Sequence, residues 1–191
     1  MGKVATREAY GAALAQYGAD TNIIVLDADL SKSTKTDTFK KKFPERFFNA
    51  GIAEANMASL CAGLSTYGYL PVMVTFAPFA TRRVFDQIAV SIAYAKQRVI
   101  IVGTDPGITA ELNGGTHMSF EDVSVLRAIP TMLIYDAVDA NQLAQAIPQL
   151  IEKAPEIISS LVTALKELGP ELLQAGKDLL KELGDGLKEA V

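Results

Sequence analysis

The 191 residues carry a formal net charge of −4, with 49% hydrophobic and 21% charged side chains, a composition that excludes wholesale disorder. No basic run exceeds Lys40-Lys41-Lys42, which argues against nucleic acid or an anionic membrane as partner. A lone cysteine, Cys61, excludes an intramolecular disulfide and a multi-cysteine metal site, and no stretch has the ~20 apolar residues of a membrane span or the apolar run of a signal peptide, so a soluble cytoplasmic protein is expected.

Thr6–Gly18 has apolar or small residues at Ala9, Ala12, Ala13 and Tyr17 and is stopped by glycine, the pattern of an amphipathic helix. Asn22–Asp27 is a short apolar run bounded by polar residues and reads as a buried strand. Arg46–Asn49 predicts a weak strand, Ala53–Leu64 a helix, Leu70–Phe76 a strand, and Phe79–Tyr94 one long helix. Arg98–Gly103 reads as a strand, Gly107–Thr116 as a loop, Ser119–Ala128 as a helix, Thr131–Tyr135 as a strand and Ala140–Leu150 as a helix. Continuous apolar strands separated by helices imply a three-layer α/β fold around a parallel sheet, covered on both faces.

Composition then changes. From Pro155 to Val191 the 37 residues hold no aromatic, Arg or His, and nine are Leu. Leu-Lys-Glu-Leu-Gly occurs at Leu165–Gly169 and again at Leu180–Gly184. A boundary between Ile147 and Pro155 is expected, giving a domain over 1–150 and a helical hairpin extension over 151–191 broken at Gly169-Pro170. Leu in the seam with Glu and Lys outside is what design rules prescribe. An engineered tail is therefore one expectation; a natural helical extension of biased composition is the other.

Four segments could carry chemistry. Glu54, in Gly51-Ile52-Ala53-Glu54, is a lone carboxylate in the first turn of an apolar helix, where it either complements the helix dipole or serves a site. Asp27-Ala28-Asp29-Leu30-Ser31-Lys32-Ser33-Thr34 follows a strand, and loops at the carboxyl ends of parallel strands bind ligands in α/β sheets; a polar turn with an Asp cap is the plainer alternative. Gly114-Gly115-Thr116-His117 holds the only histidine, and without a second His or Cys it does not read as a metal ligand. Phe76 and Phe79 fit either a core or a ring-binding role.

Read in order, Lys3-Val4-Ala5-Thr6-Arg7, Leu26-Asp27-Ala28-Asp29-Leu30, Phe43-Pro44-Glu45-Arg46-Phe47-Phe48-Asn49, Gly51-Ile52-Ala53-Glu54, Thr75-Phe76, Asp86-Gln87-Ile88 and Gly115-Thr116-His117 resemble the pyrimidine-binding domain of transketolase-type thiamine diphosphate enzymes. The resemblance covers about residues 3–150 and is nearest to the C-terminal subunit of split transketolases. It implies that Glu54 is the glutamate that hydrogen-bonds the aminopyrimidine ring, with Phe76 and Phe79 stacking around that ring. It implies further that Asp29 lies near the thiazolium, Ser33 near substrate, and His117 facing the reactive centre.

The chain departs from the family at Asp105, where many relatives have His, and at Asp136-Ala137-Val138-Asp139, where transketolases carry Arg-Pro-Ala-Asp. Both departures weaken the case for a phosphorylated ketose, since an acidic residue repels that anion. The domain that holds Mg²⁺ and the diphosphate has no counterpart in these 191 residues; Gly184-Asp185-Gly186 has too few residues after it to be that domain's metal motif. Thiamine diphosphate and Mg²⁺ are thus implied by resemblance only, and the chain alone is expected to be catalytically silent. Two partnerships follow: the expected one is an engineered homo-oligomeric scaffold, with or without a designed second component, and the alternative is a natural half-enzyme completed by a diphosphate-binding subunit.

Overall fold

The computed structural model describes residues 4–19, 22–151 and 174. The chain divides between Ile147 and Pro148 into two units, the first of which holds the sheet and its helices. At the centre of that unit is a four-stranded, wholly parallel sheet in the order β2-β1-β3-β4. Helix α1 (Thr6–Tyr17) leads into β1 (Ile23–Asp27). Two short helices, α2 (Ser31–Thr34) and α3 (Asp37–Lys42), then carry the chain to β2 (Phe47–Asn49). Helix α4 (Glu54–Thr66) crosses to β3 (Leu70–Phe76) on the other side of β1. After β3 come α5 (Ala77–Ala80), a 3-10 turn at Arg82–Val84, α6 (Phe85–Gln87) and a wider π turn over Ile88–Tyr94. β4 (Ile100–Thr104) and α7 (Asp122–Leu126) follow.

All five residues of β1 and the first six of β3 are buried, as expected of strands covered on both faces. Side chains alternate along β1. Ile24, Leu26 and Ala28 join Met57, Ala58, Cys61 and Ala62 of α4, Met73 of β3, and Val84, Ile88 and Ile92 in one apolar cluster. The opposite face takes Ile23 and Val25, with Tyr10 and Leu14 of α1 and Phe39 of α3 among the buried residues of that half. Burying a side chain of this size contributes about 1.5–3 kcal/mol, so the two layers fix the sheet independently of anything bound at its edge.

Chain order reverses between β1 and β3: the chain leaves β1 toward β2 and returns to β3 on its far side. Such a switch point, at the carboxyl ends of the strands, is where open α/β sheets form ligand crevices. Asp27 pairs in register with Val74, and Phe76 with Thr104. The Asp27–Leu30 loop, the Asn49–Glu54 connection and the Phe76 corner therefore meet along one edge.

The α/β class and the parallel sheet agree with the sequence reading, but three elements differ. The polar stretch 31–42 forms α2 and α3, which the apolar pattern does not signal. Phe79–Tyr94 is not one helix: Thr81 leaves the helical region at φ −122°, ψ −92°, while its hydroxyl donates to the Ala77 carbonyl at 2.7 Å. Thr131–Tyr135 forms no strand and joins no ladder; Met132 packs on the apolar cluster while Leu133 is exposed. The expected hairpin of the tail lies outside the described residues.

Candidate functional site

Glu54 opens α4. The turn before it is set by Gly51, whose φ of +71° suits glycine, and by the Asn49 side chain. Asn49 Oδ1 accepts from the backbone N–H of Asp29 at 3.1 Å and from that of Gly51 at 2.9 Å, while its Nδ2 donates to Asp29 Oδ1 at 2.8 Å. One amide thus ties the loop after β1 to the start of α4. Glu54 ends up buried, its side chain 6% exposed, with Oε1 accepting from Arg83 Nη1 at 2.5 Å.

Arg83 also lies over Phe79, its Cζ 3.6 Å from the ring centroid. The break at Thr81 separates the two residues into α5 and the following 3-10 turn, and the corner between them brings Arg83 back over Phe79. Phe79 is held by the close approach of α5 to β4, since a Cβ on Gly103 would stand 2.9 Å from the Ala77 Cα. His117 meets Phe79 edge-on at 5.2 Å and 69°, and Phe76 at 6.0 Å and 65°; the two phenyl rings are 6.1 Å apart. Its Nδ1 lies 2.9 Å from the Thr116 hydroxyl, in a turn closed by the His117 N–H to the Gly114 carbonyl. Glu54, Phe79, His117 and Phe76 are therefore joined through Arg83 in one continuous run of contacts.

Asp29 and Ser33 stand apart from that run. Asp29 is exposed, with φ +64°, and bonds Asn49; Ser33 is half-buried on α2, its N–H donating to the Leu30 carbonyl. The fully buried acid of this loop is Asp27. Its Oδ1 accepts from the Leu30 N–H at 2.5 Å, and its Oδ2 from the hydroxyls of Thr34 at 2.8 Å and Thr36 at 2.9 Å. Burial, and secondarily the charge of Asp27, push the Tyr10 hydroxyl's pKa above its usual range.

Two further ion pairs border the cluster. Arg82 reaches Glu121 at 2.5 Å, linking the helical corner to the segment that follows His117. The Glu121 carboxyl is held below its ordinary 4.5, first by the Phe120 N–H and then by the Arg82 guanidinium. Asp105, with φ +53°, pairs with Arg7 at 3.3 Å. Asp139 accepts from the Gln142 N–H at 2.8 Å and so caps the helix that starts at residue 140.

Sequence reasoning alone does not single out Arg83, Asn49 or Asp27. For all three the partners can be named only with coordinates. A buried carboxylate beside aromatic faces fits a flat, hydrogen-bonding heteroaromatic ring. Among the described residues no three His, Cys, Asp or Glu side chains are grouped to hold a metal ion. No helix among them is long and apolar enough to cross a membrane.

The first unit is thus a parallel α/β domain with a buried glutamate and an aromatic corner at the carboxyl ends of its strands. The chain belongs to the family described as "Transketolase, pyrimidine binding domain", which matches residues 2–165. It is 49% identical over 146 residues to the "6-deoxy-6-sulfo-D-fructose transketolase subunit SqwH" of Clostridium sp. (strain MSTE9), covering 76% of this chain and 45% of that protein. It is 46% identical over 134 residues to the "Putative transketolase C-terminal section" of Methanocaldococcus jannaschii, covering 70% and 42%. Human transketolase is 40% identical over 135 residues, covering 70% of this chain and 21% of the enzyme. A solved structure titled "Split gene transketolase, inactive beta4 tetramer" superposes with a TM-score of 0.68 at 48% identity, over 78% of this chain and 48% of that one. The chain thus spans less than half the length of these relatives. They favour a split-transketolase subunit over the expected engineered scaffold, which none of them supports.

Proposed function

We propose that this chain is the pyrimidine-binding half of a split transketolase-type enzyme, acting in two-carbon ketol transfer together with a diphosphate-binding subunit. The observation that carries the reading is the run of contacts from Glu54 through Arg83 and Phe79 to His117 and Phe76. Four residues expected from the family pattern, separated by up to 63 positions in sequence (117 − 54), converge on one corner of the sheet.

In this reading residues 1–150 form the ring-binding domain. The Glu54 carboxyl holds a ring nitrogen in a site shielded from water, where a hydrogen bond is stronger than in solvent. Phe76 and Phe79 supply the apolar faces. His117 faces the reacting carbons, and Asp29 and Ser33 border the thiazolium and the sugar. When bound, thiamine diphosphate supplies the carbanion chemistry, and the protein orients it. Mg²⁺ and the diphosphate are gripped by the partner subunit. Association with a second copy of this chain also belongs to the reading, supported by Ile52, 80% exposed, and Leu60, both apolar and uncovered at and along α4.

The decisive experiment mixes the chain with the diphosphate-binding subunit of a split transketolase, thiamine diphosphate and Mg²⁺, and measures ketol transfer from a ketose to an aldose. Turnover is expected from the mixture and none from either component alone. Turnover by the lone chain, or thiamine diphosphate binding to it much tighter than about millimolar, would falsify the half-site assignment. Silence of a mixture whose partner works with its own mate would sink the enzyme reading. Light scattering tests self-association, and a strictly monomeric mass refutes it.

A further inference from the structure

Arg83 sits in the position that the ring needs. Its guanidinium is flat, carries N–H donors on its edge, and makes two contacts: Nη1 to Glu54 Oε1 at 2.5 Å, and a face-on contact with Phe79 at 3.6 Å. An aminopyrimidine held by Glu54 and stacked on Phe79 requires those same two surfaces. We propose that Arg83 is a resident stand-in for the ring, filling the slot in the isolated chain and swinging out when the cofactor's pyrimidine enters. The inference rests on the ring-binding function proposed above and adds a residue that the exchange must move.

The asymmetry of burial makes the exchange possible. Glu54 is 6% exposed and Arg83 43%. A carboxylate that deep is costly to leave without a donor, whereas the long Arg side chain already borders water and gains hydration on leaving. On entry the ring nitrogen takes the guanidinium's place at Glu54, with one proton from solvent taken up to bridge carboxylate and nitrogen, and the ring covers the Phe79 face, so Glu54 is never left unpartnered. Arg82, one residue earlier, is engaged by Glu121 at 2.5 Å and does not compete for the slot.

Displacement lowers apparent affinity in proportion to the fraction of time the slot is open. A slot filled about four-fifths of the time weakens ring binding about five-fold. The test titrates 4-amino-5-hydroxymethyl-2-methylpyrimidine into the full-length chain, followed by heteronuclear NMR, for wild type, Arg83→Ala and Arg83→Gln. Circular dichroism confirms folding, and the Gln variant carries the test should the Ala variant fail to fold.

Both variants are expected to bind the ring about five-fold tighter or more. In wild type the Arg83 Nε–Hε resonance should leave its ring-shifted position as the ligand is added. Equal or weaker binding by the folded variants, no binding by any form, or a stationary Arg83 resonance overturns the stand-in. Those outcomes are separable from failure of the enzyme reading, which is judged by ketol transfer of the wild-type mixture. An active mixture with unimproved ring binding in Arg83→Gln leaves the function standing and removes this inference.

Discussion

Two buried carboxylates stand at the same edge of the sheet and have different companions. Asp27, at the end of β1, accepts from three donors within its own loop, two of them buried threonine hydroxyls. Glu54, at the start of α4, accepts from one half-exposed guanidinium brought from another element. Chemically the groups are alike; what separates them is whether the partner can be exchanged. Asp27 is closed by its neighbours and fixes a loop, while Glu54 keeps a replaceable donor and can serve a ligand.

That contrast is tested most severely by removing each acid. In the complex with its diphosphate-binding partner, Glu54→Gln should lower kcat/KM by about 10²-fold or more, with chemical denaturation moving by less than about 1 kcal/mol. A large loss of stability with intact activity would reverse the assignment. Asp27→Ala should do the opposite, costing about 3 kcal/mol in urea denaturation because three donors, two of them buried hydroxyls, lose their acceptor. A cost under about 1 kcal/mol would show that the loop stands without it.

Gly103→Ala tests the support beneath Phe79. The new Cβ meets backbone at Ala77 within 2.9 Å, and overpacking of this kind costs about 1–3 kcal/mol. Thermal melting should fall accordingly, and an unchanged melting temperature would mean that α5 shifts freely. The smallest effect is expected at Glu121. A carboxyl held below 4.5 in the folded chain contributes stability above that pH and loses it as pH falls through its lowered value. Glu121→Gln should therefore melt slightly lower than wild type above pH ~6 and converge with it in acid, flattening the acid limb; an identical acid limb would count the Arg82 pair as inert.

Strands are legible in the sequence because Ile23–Asp27 and Leu70–Phe76 are continuous apolar runs that only a doubly covered sheet explains. α2 and α3 are not, since their stability comes from Phe39 entering the core and from the Asp27 network rather than from an apolar stripe. Thr131–Tyr135 misleads because strand composition does not supply a neighbour to pair with. At the site, Glu54, Phe76, Phe79 and His117 are visible as short motifs. Arg83 escapes notice because its charge partner lies 29 residues away in sequence, a distance that no helical spacing bridges.

Asn49 has a mechanical consequence. Its one side-chain oxygen receives both the Asp29 and the Gly51 N–H groups, so the loop expected beside the thiazolium and the turn leading to Glu54 share a hinge pin. A push delivered to either by a docking subunit arrives at the other as displacement rather than being absorbed, and the two jaws of the crevice travel together.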